Sequence, residues 1–152
     1  MDDRLFKTAM GKFATGVTVV TTDTEDGVHG MTANAFMSVS MDPKLVLISV
    51  GRHANTHRII EQNGTFAVNI LHEDQMKTAQ YFAKQLEEDI DIPIDRFEGQ
   101  PIIEGSLANI VCTVYDSHEA GDHTLFIGQV DNLIVQDETP LLYFEGQFRY
   151  FQ

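Results

Sequence analysis

The residues best suited to chemistry on a small molecule are uncharged hydrogen-bonding side chains at alternate positions: Thr32, Asn34, Ser38 and Ser40, with Phe36 among them, inside the run Gly30–Ser40. A period of two reads as a β-strand, whose apolar face here is Met31, Ala33, Ala35, Met37 and Val39. A strand face that only meets water ordinarily carries Lys, Glu or Arg. This one offers hydroxyls, one amide and one ring, a set suited to a neutral planar ligand whose edge is read by side-chain and backbone groups. The same pattern fits a half-buried strand whose small polar residues pack on a second layer, and periodicity alone favours that plainer reading.

A second candidate is Gly51-Arg52-His53-Ala54-Asn55-Thr56, between an apolar strand and a helix that Gly64 can end. With Asn55 or Thr56 as the cap, the free amides of the first turn, the Thr56 hydroxyl and the Arg52 cation could hold a phosphate. An ordinary capped connector has the same spacing. A third is His123, behind the turn residues Gly121-Asp122 at a strand entrance, placed either to orient a ring amide or to meet water. His53 and His57 share the i, i+4 spacing of metal ligands, yet no third ligand stands near, so solvated histidines are expected. Cys112, inside the apolar run Ile110–Val114, reads as a reduced, buried thiol rather than a nucleophile. No Ser-His-Asp or paired-carboxylate pattern points to hydrolysis.

The elements that must position these residues follow from local pattern. Leu5, Phe6, Ala9, Met10 and Phe13 line one helical stripe behind Asp2 and Asp3, with Gly16 as the stop. Val17–Thr22, rich in β-branched residues, predicts a strand, and Asp26-Gly27 turns it into Gly30–Ser40 as a hairpin. Pro43 closes that run before Leu45–Val50, which is almost wholly apolar and expected to be buried on both faces. Then come a strand at Thr65–Leu71, a helix around Met76–Ala83, an acidic surface excursion from Gln85 to Gln100, and long strands at Leu107–Tyr115 and Thr124–Val135. Leu141–Phe144 predicts a last strand before an aromatic tail. Six or seven strands with two or three short peripheral helices predict a mainly β, antiparallel barrel in one domain, residues 1–152. No Gly-x-Gly-x-x-Gly follows a strand, so a Rossmann dinucleotide site lacks its usual fingerprint.

Composition narrows the partners. Hydrophobic and charged fractions of 43% and 22% are those of a globular protein, and a net charge of −13 without a basic cluster makes nucleic acid and anionic membranes poor partners. A phosphorylated ligand would need a local donor cluster working against that field. No apolar run reaches transmembrane length and no cationic leader opens the chain, so the cytoplasm is the expected compartment.

Taken in order, Phe13–Thr22, Gly30–Ser40 running into Asp42-Pro43, Phe66–Leu71, Gly121-Asp122-His123 and Pro140–Phe144 resemble the short-chain flavin reductases, the flavin reductase-like FMN-binding split barrels. Each segment is weak alone, and the ordered set covers nearly the whole chain. The resemblance implies a split β-barrel that transfers hydride from NADH or NADPH to FMN or FAD, supplies reduced flavin to a monooxygenase and forms a homodimer. It implies that Thr32, Ala33 and Asn34 lie along the isoalloxazine ring, while Ser38, Val39 and Ser40 approach the ribityl chain and phosphate. Asn55 and Thr56, with Arg52 beside them, lie near the phosphate; Phe82 packs against the flavin; His123 sits beside the nicotinamide. Met31, Ala33, Met37 and Val39 then fix the strand in the barrel wall. The connector Ala54-Asn55-Thr56 keeps the family's threonine but lacks the serine often found two residues earlier, and Lys44 stands where many relatives have a second proline. The acidic stretch Glu87–Asp95 offers nothing to a 2'-phosphate, which favours NADH. The rival reading is a flavin-binding electron-transfer protein without pyridine-nucleotide turnover; a third is a cofactor-free interaction barrel.

Overall fold

The computed structural model describes residues 1–152. The chain begins with helix α1 (Asp3–Gly11) and the two-residue strand β1 (Thr15–Gly16). The β-branched run that follows forms β2 (Thr18–Thr24), turned at Glu25-Asp26 into β3 (Gly27–Ala33). A second hairpin joins β4 (Phe36–Met41) to β5 (Lys44–Gly51). Helix α2 (Asn55–Asn63) stops at Gly64, whose φ of 69° is left-handed and costs glycine little. Then come β6 (Thr65–Ile70), a 3-10 turn at Glu73–Gln75, α3 (Met76–Phe82), and a short hairpin of β7 (Ile94–Phe97) with β8 (Gln100–Ile103). The long strands β9 (Ala108–Ala120) and β10 (His123–Val135) precede a final hairpin, β11 (Leu141–Phe144) and β12 (Gln147–Tyr150).

Seven strands form one sheet in the order β3-β2-β6-β9-β10-β5-β4, with every neighbouring pair antiparallel. Its two edges, β3 and β4, are consecutive in the chain yet unpaired, so the barrel is split there. The interior is filled by Val20, Val46, Ile48, Val50, Phe66, Val68, Ile110, Cys112 and Phe126, and Ile60 of α2 plugs one end. Phe66 and Phe126 are almost wholly buried, each burial worth about 1.5–3 kcal/mol. A second layer packs α3, β8 and β11 on the outside of β2, through Val17, Val19, Leu71, Ala79, Ile103 and Leu141. Within it Asn69 Nδ2 donates to the Val19 carbonyl and the Thr21 hydroxyl, while its Oδ1 accepts from the Ile103 N–H and Asn109 Nδ2. A buried amide so satisfied ties β8 to the barrel wall.

The split-barrel architecture, the β2–β3 hairpin and three helices agree with expectation. The run Gly30–Ser40, however, is not one strand. It breaks at Asn34-Ala35, where the chain leaves β2 and joins β5 at the far edge of the sheet. The break reverses the alternation: Met31 packs into the interior before it and Phe36, not Met37, after it. Met37 and Val39 are therefore exposed, at 55% and 44%, and do not anchor the barrel wall; Val39 lies where the β4–β5 register slips. β5 buries only Val46, Ile48 and Val50, leaving Leu45 and Leu47 half-exposed on the outer face. α1 ends at Gly11 rather than Gly16, and its stripe meets no core: Leu5, Phe6 and Met10 are exposed. The acidic excursion contains the β7–β8 hairpin, and the aromatic tail is strand β12. No helix is long and apolar enough to cross a membrane.

Candidate functional site

At the split, the chain crosses between sheet edges through two exposed residues, Asn34 and Ala35. The Phe36 N–H donates back to the Asn34 carbonyl at 3.0 Å and the Ser49 N–H to the Ala35 carbonyl at 3.3 Å, which pins this crossing beside the C-terminal half of β5. The β5–β10 register carries the strip onward, with Leu125 opposite Ser49 and His123 opposite Gly51. Beyond Gly51, the Arg52 N–H donates to the Asp122 carbonyl at 3.0 Å, and its guanidinium Nη1 to the Gly121 carbonyl at 3.1 Å. Asn34, Arg52 and His123, far apart in sequence, thus share one side of the barrel, and the first turn of α2 follows three residues after Arg52.

That turn differs from the expected one. Ala54 is the cap residue, with extended φ and ψ and no side-chain cap bond, so neither Asn55 nor Thr56 caps the helix. The backbone N–H groups of Asn55 and Thr56 donate to no protein acceptor, as befits the first positions of a helix. The Thr56 side chain is buried at 2% exposure, and its hydroxyl lies 2.8 Å from Nε2 of His29 on β3. One residue on, His57 Nε2 lies 2.8 Å from the Thr124 hydroxyl of β10, with its ring edge on Phe126 at 5.3 Å. His57 is therefore a packed residue, only 14% exposed and also 3.2 Å from Glu61, rather than a solvated one. No cluster of three or more metal-ligating side chains forms anywhere. Burial, then the nearby Lys84 and Arg58 charges, push the pKa of His29 below its ordinary value and hold it neutral at pH 7.

His123 is about half-exposed, and its Nδ1 pairs with Asp122 Oδ1 at 2.8 Å. That bond, followed by the charge of a protonated imidazole, holds the Asp122 carboxyl below the usual range. With Nδ1 paired to Asp122, Nε2 makes no hydrogen bond within the protein.

The remaining predicted residues make their protein contacts elsewhere on the chain. The Thr32 hydroxyl donates to the Ala79 carbonyl of α3 at 2.6 Å, and Phe82 lies on the same layer, covering Gly30. Both sit between β3 and α3. Ala33 ends β3, its carbonyl accepting the Thr18 hydroxyl at 2.7 Å. Ser38, Val39 and Ser40 run the other way along β4: Ser38 is opposite Val46 and Ser40 opposite Leu45. Gly51 lies six positions after Leu45 on β5, roughly 20 Å away at strand rise. Ser40 thus pairs near the end of β5 opposite to the one that leads into α2. Sequence reasoning missed Ser49 and His29; only the pairing of β5 with β10 and the docking of α2 on β3 identify them. Cys112 is fully buried, as expected, and burial with the Asp131 charge pushes its thiol up to about 12.

The donor set fits a phosphorylated planar ligand: free helix amides with a cation nearby, an uncharged crossing at Asn34-Ala35, and a half-exposed imidazole. The strip is open rather than enclosed. A cleft of about 580 Å³ lies between the β2–β3 turn and α2, and one of about 320 Å³ between β3 and the α3 end; of the predicted residues they include Phe82 alone.

Residues 10–152 match the family described as Flavin reductase like domain. Over 144 residues the chain is 46% identical to an NADH-dependent flavin reductase of a Rhodococcus species, covering 93% of this chain and 82% of that protein. It is 39% identical over 153 residues to HsaB of Rhodococcus jostii, the reductase subunit of a flavin-dependent monooxygenase, covering 97% and 77%. The solved structure of flavin reductase PheA2 in its native state superposes with a TM-score of 0.98 at 51% identity, covering 100% of this chain and 99% of that one.

Proposed function

Because this chain belongs to the flavin reductase like family, we propose that it transfers hydride from NADH to FMN or FAD and passes the reduced flavin to a flavin-dependent monooxygenase. The observation that carries the reading is the strip on which the free amides of α2, the Asn34-Ala35 crossing and His123 stand together. A bound flavin supplies the electron-accepting ring, so the protein needs no nucleophile or strong acid of its own. Its residues bind and orient. The Asn55 and Thr56 amides, with Arg52 beside them, neutralise the phosphate against the net charge of −13. Asn34 and the neighbouring backbone meet the polar edge of the ring, where uncharged donors stabilise developing negative charge without competing as bases. His123, aligned by Asp122, orients the nicotinamide through its free Nε2. The acidic residues Glu87, Glu88 and Asp89 near the end of α3 disfavour a 2'-phosphate, which supports NADH over NADPH, as does the NADH-dependent relative.

The same reading makes the protein a homodimer acting as one domain over residues 1–152. Leu47 pairs with Met37 on one side and Ile127 on the other, an apolar row on the outer face of the sheet. That face continues into Ser49, Leu125 and His123, so a second copy seated on it borders the flavin strip. A cytoplasmic setting accords with Cys112 as a free, buried thiol. The test is NADH consumption with and without FMN, FAD or riboflavin: turnover requiring added flavin supports the proposal. A yellow protein that retains flavin through gel filtration but oxidises neither NADH nor NADPH is an electron-transfer protein instead. Light scattering at about twice 17.1 kDa supports the dimer, and a monomeric mass refutes it.

A further inference from the structure

The first turn of α2 has no cap of its own, since Ala54 offers no side-chain acceptor. What holds it is a pair of histidine–threonine bonds in opposite directions. From β3, His29 reaches into the helix at Thr56; from the helix, His57 reaches out to Thr124 on β10. The two bonds are made by adjacent helix residues to strands on different sides of the barrel end, so they fix both the position and the rotation of the turn. Of the two, only His29 bears on a residue whose own amide is free.

We infer that His29 is a positioning residue for flavin phosphate binding: from β3 it sets the Thr56 side chain, and through it the first turn of α2, in the arrangement that receives the phosphate. The inference rests on the proposed phosphate position at this turn and adds a residue that the phosphate does not touch. The chemistry lies in the direction of the bond. A neutral His29 that carries its proton on Nε2 donates to the Thr56 oxygen and so fixes the residue whose free backbone N–H belongs to the first turn. A side chain without a donor at that point leaves the hydroxyl to find its acceptor within the protein. Thr56 is almost wholly buried, so water does not replace the missing partner.

The test separates phosphate from ring by comparing FMN with riboflavin, which lacks the phosphate, in fluorescence-quenching titrations of the purified protein. His29→Leu removes the donor at similar bulk, Thr56→Val removes the hydroxyl alone, and His29→Gln restores a donor near the Nε2 position. Expected are a fall of about tenfold in the preference for FMN over riboflavin in His29→Leu and in Thr56→Val, little further loss in the double variant, and recovery in His29→Gln. Riboflavin affinity stays within about twofold throughout, a pattern that mere loosening of the fold does not give. If His29→Leu fails to fold, Thr56→Val and His29→Gln still decide. A wild-type protein that prefers FMN, with variants that keep the full preference, overturns the role of His29 while leaving the phosphate site standing. A wild type that binds riboflavin as tightly as FMN overturns the phosphate position and the inference together.

Discussion

Substituting Gly30 by alanine tests how the strand before the split is held. A Cβ built there falls 2.5 Å from both Cδ1 and Cε1 of Phe82. Carbon pairs rest at ~3.5–4.0 Å, so the ring must retreat by about 1 Å. Its surroundings resist this: Phe82 packs against the cluster of Val19, Leu71 and Ala79, and meets Tyr81 edge-on at 5.2 Å. Overpacking of this kind costs about 1–3 kcal/mol, and the stiffer unfolded chain of alanine returns about 0.4–1 kcal/mol. The expected net loss is about 1.5 kcal/mol, a fall in Tm of roughly 3–6 °C for a domain of this size. Thermal unfolding of Gly30→Ala, Phe82→Ala and the double variant measures it. In the Phe82→Ala background the clash has no ring to meet, so only the unfolded-chain gain remains and Gly30→Ala becomes stabilising by about 0.4–1 kcal/mol. Equal losses in both backgrounds would refute the packing argument.

Other outcomes are equally specific. Asn69→Leu severs four buried hydrogen bonds and strands the Ile103 N–H, while Asn109 keeps its bond to the Ile103 carbonyl, so urea unfolding should show a loss of about 2–4 kcal/mol; less than 1 kcal/mol would mean that the network contributes little. Asn34→Ala should raise the FMN dissociation constant about threefold to tenfold, and an unchanged value removes Asn34 from the site. His123→Ala should slow flavin reduction at least about tenfold while FMN affinity stays within about twofold; lost flavin binding would reassign its role. Cys112, with its thiol pushed up to about 12, should resist iodoacetamide at pH 8 in the folded protein and react in urea, which mass spectrometry reads directly.

Local signals carried much of the fold. Asp26-Gly27 and the β-branched run before it specify the β2–β3 hairpin, and Gly64 specifies the stop of α2, because each depends on backbone preferences within a few residues. The split at Asn34-Ala35 was not legible. The alternation continues across it by coincidence of residue type, and what decides the break is the competition between pairing with β2 and pairing with β5, both distant in sequence. The same blindness hid Thr32, whose hydroxyl is taken by a carbonyl of α3, and the burial of Thr56 against His29. The α1 stripe shows the opposite limit: its periodicity correctly implies a helix but says nothing of what, if anything, covers its apolar side. The β7–β8 hairpin escaped because its strands are only four residues long, and its turn at Glu98-Gly99, both at positive φ, lies within an acidic run. Of the candidate site, the helix start after Gly51 and the turn that carries His123 were legible as local elements, while their approach to one another needed the β5–β10 register.

Anaerobic mixing of the protein with FMN and one equivalent of NADH tests the central claim most directly, because it isolates hydride transfer from oxygen and from any partner. Rapid bleaching of the flavin absorbance matched by loss of NADH absorbance is expected, with the rate falling at least about tenfold in His123→Ala. Flavin that stays yellow with either NADH or NADPH, whether FMN, FAD or riboflavin is supplied, would contradict it.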